Sequence, residues 1–345
     1  IYKSIMGGGL MQLVAYGSQD TYLTGSPQVT FWKVVYRRHT NFALESVEQT
    51  FNGTVGKSAN VVATISRNGD LIHKCYLEVD VPNNSANSVS NIYDVIESVE
   101  LEIGGQQIDK QDGKWMDVWN KLSLPIDKNS GFDSMTTGNS GDKLYIPLNF
   151  WFCTNPGLAL PLIALQYHEV RMKFKLGKEV GNAKLWVDYV YLDTDERRRM
   201  AQSSHEYLIT QLQHQDMSAN LTDHRLNFNH PVKELVWRAD DDNLKNGDDT
   251  TATLSFVDKN CKLTLNGHER AAPRPWKYFQ TVQPFQHHTR IPKLSDNIGV
   301  YSFALKPEEH QPSGTCNFSR IDNAELQVKD LKITDVNNST LQTVN

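Results

Sequence analysis

Apolar and polar residues alternate with a period of two along most of the chain. Leu71, His73, Cys75, Leu77 and Val79 share one face of a strand, with Lys74 and Glu78 on the other. Val61, Ala63 and Ile65 alternate before Asn68-Gly69, a hairpin signal. Val99, Leu101 and Ile103 interleave with Glu100 and Glu102 and stop at Gly104-Gly105. Val170, Met172, Phe174 and Leu176 repeat the pattern, as do Leu185, Val187, Tyr189 and Tyr191. Further strands are predicted in TATLSFV (251–257), CKLTL (261–265), GVYSFAL (299–305) and AELQVKDLKI (324–333). Many short strands separated by Gly, Pro and Asn turns predict an all-β protein of sandwiches or barrels.

Helical signals are few. Asp112 caps a predicted short helix carrying Trp115, Met116, Trp119 and Leu122 on one face. Asp193-Thr194 caps a second, through DERRRMAQ, with acids in the first turn and arginines after them as the helix dipole prefers. The strand pattern then restarts. SSHEYLITQLQHQDMSANL is a polar connecting stretch, and LNFNHPVKELVWRAD (226–240) opens a new series. Two β domains joined near 205–225 follow from this, and no short-period repeat indicates a solenoid.

VTFWKVVYRRHTNF (29–42) poses a separate question, because aromatics interleaved with basic residues also describe a nucleic-acid surface. Thr30, Trp32, Val34 and Tyr36 fall on one face and Phe31, Lys33, Val35 and Arg37 on the other. The stretch is read as a core strand with a polar exit at Arg37, Arg38 and His39. Charge agrees: 35 Lys and Arg against 40 Asp and Glu give −5, without the basic excess of a duplex-binding protein. The 345 residues suit two domains. No run reaches the roughly 18 apolar residues of a membrane-crossing helix.

The chemistry-bearing residues assemble into no known motif. Cys75, Cys153, Cys261 and Cys316 lie far apart with no C-x-x-C pair, and are read as reduced, buried thiols. Of eleven histidines none are two apart, and His287-His288 would point to opposite strand faces. The acidic DDDNLKNGDDTT (240–251) lacks the ligand spacing of a calcium loop and reads as a solvated turn. Gly7-Gly8-Gly9 reads as a flexible arm and Arg197–Arg199 as a surface helix. Sequons at Asn52, Asn83, Asn220, Asn317, Asn337 and Asn338 are read as chance matches. No catalytic, cofactor-binding or metal-ligating residue is singled out, and the chain is read as not an enzyme.

Several segments carry a specific resemblance. GGGLMQLVAYGSQDTYLTGSPQVTFWKVVYRRHTNFALES (7–46) resembles the N-terminal signature of the major capsid proteins of nucleocytoplasmic large DNA viruses. LDTDERRRMAQSSHEYLI (192–209) is similar to the segment joining their two jelly rolls. LNFNHPVKELVW (226–237) resembles the opening of the second, and YSFALKPEEHQPSGTCNFSRIDNAEL (301–326) its later strands. The resemblance implies an all-β double jelly-roll: two consecutive eight-stranded jelly rolls with a few short helices. On that reading 1–20 is an arm, 21–205 the first jelly roll, 206–225 a linker and 226–345 the second.

The implied role is structural: a homotrimer forming a pseudo-hexagonal capsomer in an icosahedral shell, in contact with neighbouring capsomers and with minor capsid and penton proteins. The shell overlies a possible internal membrane, assembly is in the host cytoplasm, and no direct nucleic-acid binding or cofactor is implied. After AELQVKDLKI the chain runs out in polar TDVNNSTLQTVN. The second jelly roll is therefore expected to lack its last strand, and the 345 residues to be less than the whole gene product. Two other classes make different demands. A carbohydrate-binding jelly-roll module needs solvent-facing aromatics on a sheet or a calcium loop, and a β-sandwich hydrolase needs a carboxylate pair in a cleft.

Overall fold

A computed structural model of the chain describes residues 8–29, 31–32, 37–83, 88–217, 221–239, 260–328 and 333–344. Contacts divide the chain into two units, Ile1–Asn41 and Phe42–Asn345. The first carries two short helices, Gly8–Val14 and Asp20–Thr24. This unit runs beyond the arm expected over 1–20, and Gly8 and Gly9 open the first helix, while Gly7 lies outside the described residues. The core strand expected at 29–42 is not found among the described residues. Phe31 and Trp32 are 91% and 86% exposed, and 37–41 is exposed coil before the first strand begins at Phe42. Thr30 and residues 33–36 lie outside the described residues. Phe31 and Trp32 are exposed aromatics, which sequence alone does not distinguish from buried ones.

Among the described residues, sixteen principal strands build the second unit. The first eight are β1 (Phe42–Gln49), β2 (Asn60–Thr64), β3 (Leu71–Asp80), β4 (Ile96–Ile103), β5 (Gln106–Asp112), β6 (Lys143–Pro147), β7 (Val170–Leu176) and β8 (Asn182–Leu192). They form two antiparallel sheets ordered β1-β8-β3-β6 and β2-β7-β4-β5. The next eight are β9 (Tyr207–Asp216), β10 (Asp223–Arg225), β11 (Pro231–Ala239), β12 (Asn260–Leu265), β13 (His268–Pro275), β14 (Ile298–Ser302), β15 (Ala324–Val328) and β16 (Ile333–Val344). Their sheets are β9-β16-β11-β14 and β10-β15-β12-β13. Numbered within each half, both read 1-8-3-6 and 2-7-4-5. The halves are two jelly rolls of one topology. Even the short extra strands correspond, Leu160–Pro161 pairing with β3 and Cys316–Asn317 with β11.

Three sequence expectations are corrected here. The stretch 206–225 is not a linker: Tyr207–Asp216 is the first strand of the second jelly roll, its polar residues facing the rest of the chain and not solvent alone. The C-terminal run is not a polar tail. Ile333–Val344 is the eighth strand, seated between β9 and β11, and β15 has a neighbour on both sides. Asn68-Gly69 closes no hairpin, because β2 and β3 lie in opposite sheets. Gly69 instead lets the chain cross against Tyr189, whose Cβ would lie 2.8 Å from an added methyl.

The inward alternation predicted for β3, β4, β7 and β8 is realised as one core. Leu77, Val79, Leu101, Met172, Phe174, Leu185 and Val187 are buried in it together. Both predicted helices form, over Gly113–Ser123 and Thr194–Gln202. Gly113 is required by closeness, since a Cβ there would sit 1.9 Å from the Ile96 carbonyl oxygen. The strand expected at 251–257 and the acidic loop at 240–251 lie outside the described residues.

Candidate functional site

Among the described residues, a contact surface joins the two jelly rolls. The helix Gly113–Ser123 follows β5 and splits its faces between two tasks. Met116 is buried in the first core, while Trp115, Val118 and Leu122 turn outward. They meet Val236 of β11 and Ile298 and Val300 of β14 in a dry cluster, with Trp119 and Leu212 at its margin. The outer face of the β9-β16-β11-β14 sheet is thus covered by the first jelly roll. Polar contacts fix the register. Asp109 Oδ1 accepts from the Leu212 backbone at 3.2 Å, and Gln211 donates to the Ile108 carbonyl. Lys121 bridges Asp117 at 3.0 Å and Asp296 at 2.9 Å, and the Arg290 backbone donates to the Leu122 carbonyl at 3.0 Å.

Beside this cluster lies a buried charge triad. His288 Nε2 sits 2.9 Å from Glu234 Oε2 and its Nδ1 2.9 Å from Glu308 Oε1, with the His288 and Glu234 side chains fully buried. Burial opposes charge on the imidazole, but the two carboxylates outweigh it and hold its pKa at about 9. Burial likewise works against Glu308, and hydrogen bonds from His288 and Thr289 prevail and hold it below the usual carboxylate range. His288 is therefore a structural cation, engaged without its neighbour His287, whose Nδ1 contacts the Leu305 carbonyl. Asp109 shows the reverse balance. Burial pushes it up to about 6 against the hydrogen bonds of Gln111, Leu212 and Lys110.

The other flagged residues remain apart. Cys75 and Cys261 are buried free thiols, and Cys153 and Cys316 are half-buried. Cys75 and Cys153, distant in sequence, are close enough to hydrogen-bond. Among the described residues no group of three or more His, Cys, Asp or Glu is placed to hold a metal, and no helix is long and apolar enough to cross a membrane. A crevice of about 250 Å³ between the jelly rolls is lined by Trp115, Trp119 and Trp151 with Glu308 and Glu309. Its acids are already engaged, Glu308 by His288 and Glu309 by Lys306 at 2.8 Å. The sequons divide by exposure. Asn52, Asn83 and Asn317 are exposed, Asn337 and Asn338 are buried inside β16, and Asn220 lies outside the described residues.

Besides the seam, sequence reasoning missed an aromatic surface. On the outer face of β1-β8-β3-β6, Trp186 stacks on Tyr76 with centroids 6.3 Å apart and planes at 12°, and Tyr76 meets Tyr145 edge-on at 6.3 Å. Each of these aromatics occupies a polar slot in its strand's alternation, which was the available signal.

Comparison with known proteins is consistent along the whole chain. The family described as "Major capsid protein N-terminus" matches residues 30–193, and "Large eukaryotic DNA virus major capsid protein" matches 196–344. The major capsid protein of Pyramimonas orientalis virus is 49% identical, over 94% of this chain and 92% of that protein. That of Paramecium bursaria Chlorella virus 1 is 42% identical, over 94% and 87%. Among solved structures, PBCV-1 VP54 superposes with a TM-score of 0.80 at 34% identity, covering 91% of this chain and 97% of that one. The Faustovirus major capsid protein gives a TM-score of 0.78 at 11% identity, over 97% and 96%, and shares the fold.

Proposed function

The chain belongs to the major capsid proteins of large eukaryotic DNA viruses, and from that premise we propose that three copies close into one pseudo-hexagonal capsomer of an icosahedral shell. The observation that carries this reading is the repeated topology: two jelly rolls with one strand order and one sheet face already joined to its neighbour within the chain. Three such chains supply six similar modules, enough for a ring whose contacts are all of one kind. Closing the ring also covers sheet faces and edges that a lone subunit leaves in water.

The shell role brings further partners: adjacent capsomers, minor and penton proteins, and a membrane lying beneath the shell. Assembly takes place in the host cytoplasm, where free thiols such as Cys75 and Cys261 persist. In the first unit Met11, Leu13, Val14, Tyr22 and Leu23 are exposed, and they form an arm that engages neighbouring capsomers or minor proteins. Light scattering tests the capsomer directly. Purified protein should give about three times the chain mass of 39.2 kDa, and negative-stain images should show uniform pseudo-hexagonal particles. A folded monomer at micromolar concentration would refute the reading. Removing residues 1–20 should leave those particles intact and reduce shell assembly.

A further inference from the structure

The repeated topology makes a specific claim about surfaces, because a contact made once within the chain has a counterpart that is open. In the second jelly roll the outer face of β9-β16-β11-β14 is covered by the helix that follows β5 of the first. In the first jelly roll the corresponding face, β1-β8-β3-β6, is covered at one end, where Leu71 and Val190 pack with Ala159 and Met200, and among the described residues it is open around Trp186, Tyr76 and Tyr145. It presents the Trp186–Tyr76–Tyr145 row, with Tyr145 39% exposed.

The covering element is duplicated too. β13 corresponds to β5 and is also followed by helical turns, Tyr278–Val282 and Gln283–His287. The two segments differ in helical form, but two positions correspond. Met116 is the fourth residue after Asp112 and is buried in its own core; Phe279 is the fourth after Pro275 and is buried in its own core. Leu122 is the tenth residue after Asp112 and is fully buried against the second jelly roll. Phe285 is the tenth after Pro275, and it is 73% exposed. Among the described residues, the aromatic part of one face has no cover and Phe285 of the second helical segment has no face to meet.

We infer that the aromatic outer face of β1-β8-β3-β6 receives the 276–287 segment of a second copy of this chain, with Phe285 seated against Tyr76, Tyr145 and Trp186. The inference rests on the capsomer reading and adds to it which surfaces meet. The contact is heterologous, a different patch on each partner, so it propagates around a ring and needs no two-fold axis. Its composition suits an interface. The aromatic centre is ringed by polar pairs that tolerate water, Lys143 with Glu78 at 3.0 Å and Lys184 with Glu48 at 3.1 Å. Trp186 Nε1 already donates to Glu78 Oε2 at 2.7 Å, so the indole can be covered without orphaning its N–H. Isolated exposed apolar side chains need no partner, but a stacked row and an unpaired counterpart of a buried residue do.

The test pairs two variants with a cross-link. Phe285→Glu should convert the trimer to a folded monomer with unchanged circular dichroism, whereas Phe285→Leu should remain trimeric. Mixing Phe285→Cys protein with Tyr145→Cys protein during reassembly, followed by mild oxidation, should yield a disulfide between copies that neither variant forms alone. If wild-type protein is trimeric and Phe285→Glu stays trimeric with no cross-link, the surface assignment is overturned and the capsomer reading stands. If wild-type protein is itself monomeric, the capsomer reading fails first. A row that binds oligosaccharide on an array, with binding lost in Trp186→Ala and the trimer unaffected, would assign the face to glycan recognition and also overturn the inference.

Discussion

The two jelly rolls share a strand order and differ in what their sheets face. In the first, β3 and β8 bury one side and wet the other, and their sequences alternate accordingly. In the second, the corresponding sheet is buried on its inner side by the jelly-roll core and on its outer side by the first domain. Val232 to Trp237 of β11 are consecutively buried, and Asn337 to Thr340 of β16 are buried although wholly polar. The cores differ in kind as well. The first is mainly aliphatic, while the second is built on Trp237, Trp276, Phe279 and Tyr301 in ring contact. One topology therefore accepts two chemistries, and the contact made by the outer face decides which sequence rules apply.

The sharpest way to break this comparison is to cut into the aromatic core. Trp237→Ala should cost about 3–5 kcal/mol, as deletion of a fully buried large aromatic does. Calorimetry should show the loss in the second jelly roll alone if the two halves unfold separately. A single transition that shifts as a whole would instead make the seam part of one cooperative unit.

The buried triad comes next. The His288 pKa is raised from 6.5 to about 9, so its stabilisation is fully present below 6.5 and lost as pH rises through about 9. Glu308 is depressed below 4.5, so its share is present above that value and lost as pH falls. The stability at stake on the alkaline side is up to about 3 kcal/mol. Melting temperature should decline between pH 7 and 10 in wild-type protein. In Glu234→Gln, which removes the more deeply buried carboxylate, that decline should flatten while stability at pH 7 drops. An equally steep alkaline decline in the variant would show that another group sets it.

Two smaller effects separate the halves further. Gly113→Ala places a methyl against the Ile96 carbonyl and should cost about 1–3 kcal/mol, read as a lower denaturant midpoint at unchanged slope. Lys184→Ala removes a surface pair with Glu48 in which both side chains are over two-fifths exposed, and should change stability by less than about 1 kcal/mol. A larger effect in assembled protein than in the isolated subunit would mark Lys184 as buried by a neighbour.

The same contrast explains what the sequence disclosed. The fold class and strands β2, β3, β4, β7 and β8 of the first jelly roll were legible, because each of those strands has one dry face and one wetter face; both helices form where expected, although neither Asp112 nor Asp193 makes a side-chain cap hydrogen bond. The first strand of the second jelly roll was taken for a linker because β9 is mixed in character, its Gln211 and Gln213 spent on carbonyls of Ile108 and Asn229. β16 was taken for a tail because Asn337, Asn338, Ser339 and Thr340 carry no apolar signal. Their burial depends on partners distant in sequence, such as His214 Nδ1, which donates to Asn337 Oδ1 at 2.7 Å, and the Gln211 carbonyl, which accepts from Thr340 at 3.2 Å. The seam itself was invisible. Nothing local marks Val118 or Leu122 as facing another domain and not their own.

The seat of β16 between β9 and β11 also sets a clock on synthesis. In each jelly roll the strand made last enters the middle of a sheet whose neighbours were made first, as β8 does between β1 and β3. A ribosome that has passed β15 has produced β9 and β11 but nothing to join them, and both present open edges to the cell. The first jelly roll can seal while translation continues, whereas the second must wait for residues 333–344. A copy halted before that point has an unsealed sheet under the face that docks on the first domain. Such a product should be drawn to chaperones and proteases, and only finished chains would have both modules ready for a lattice that admits no gaps.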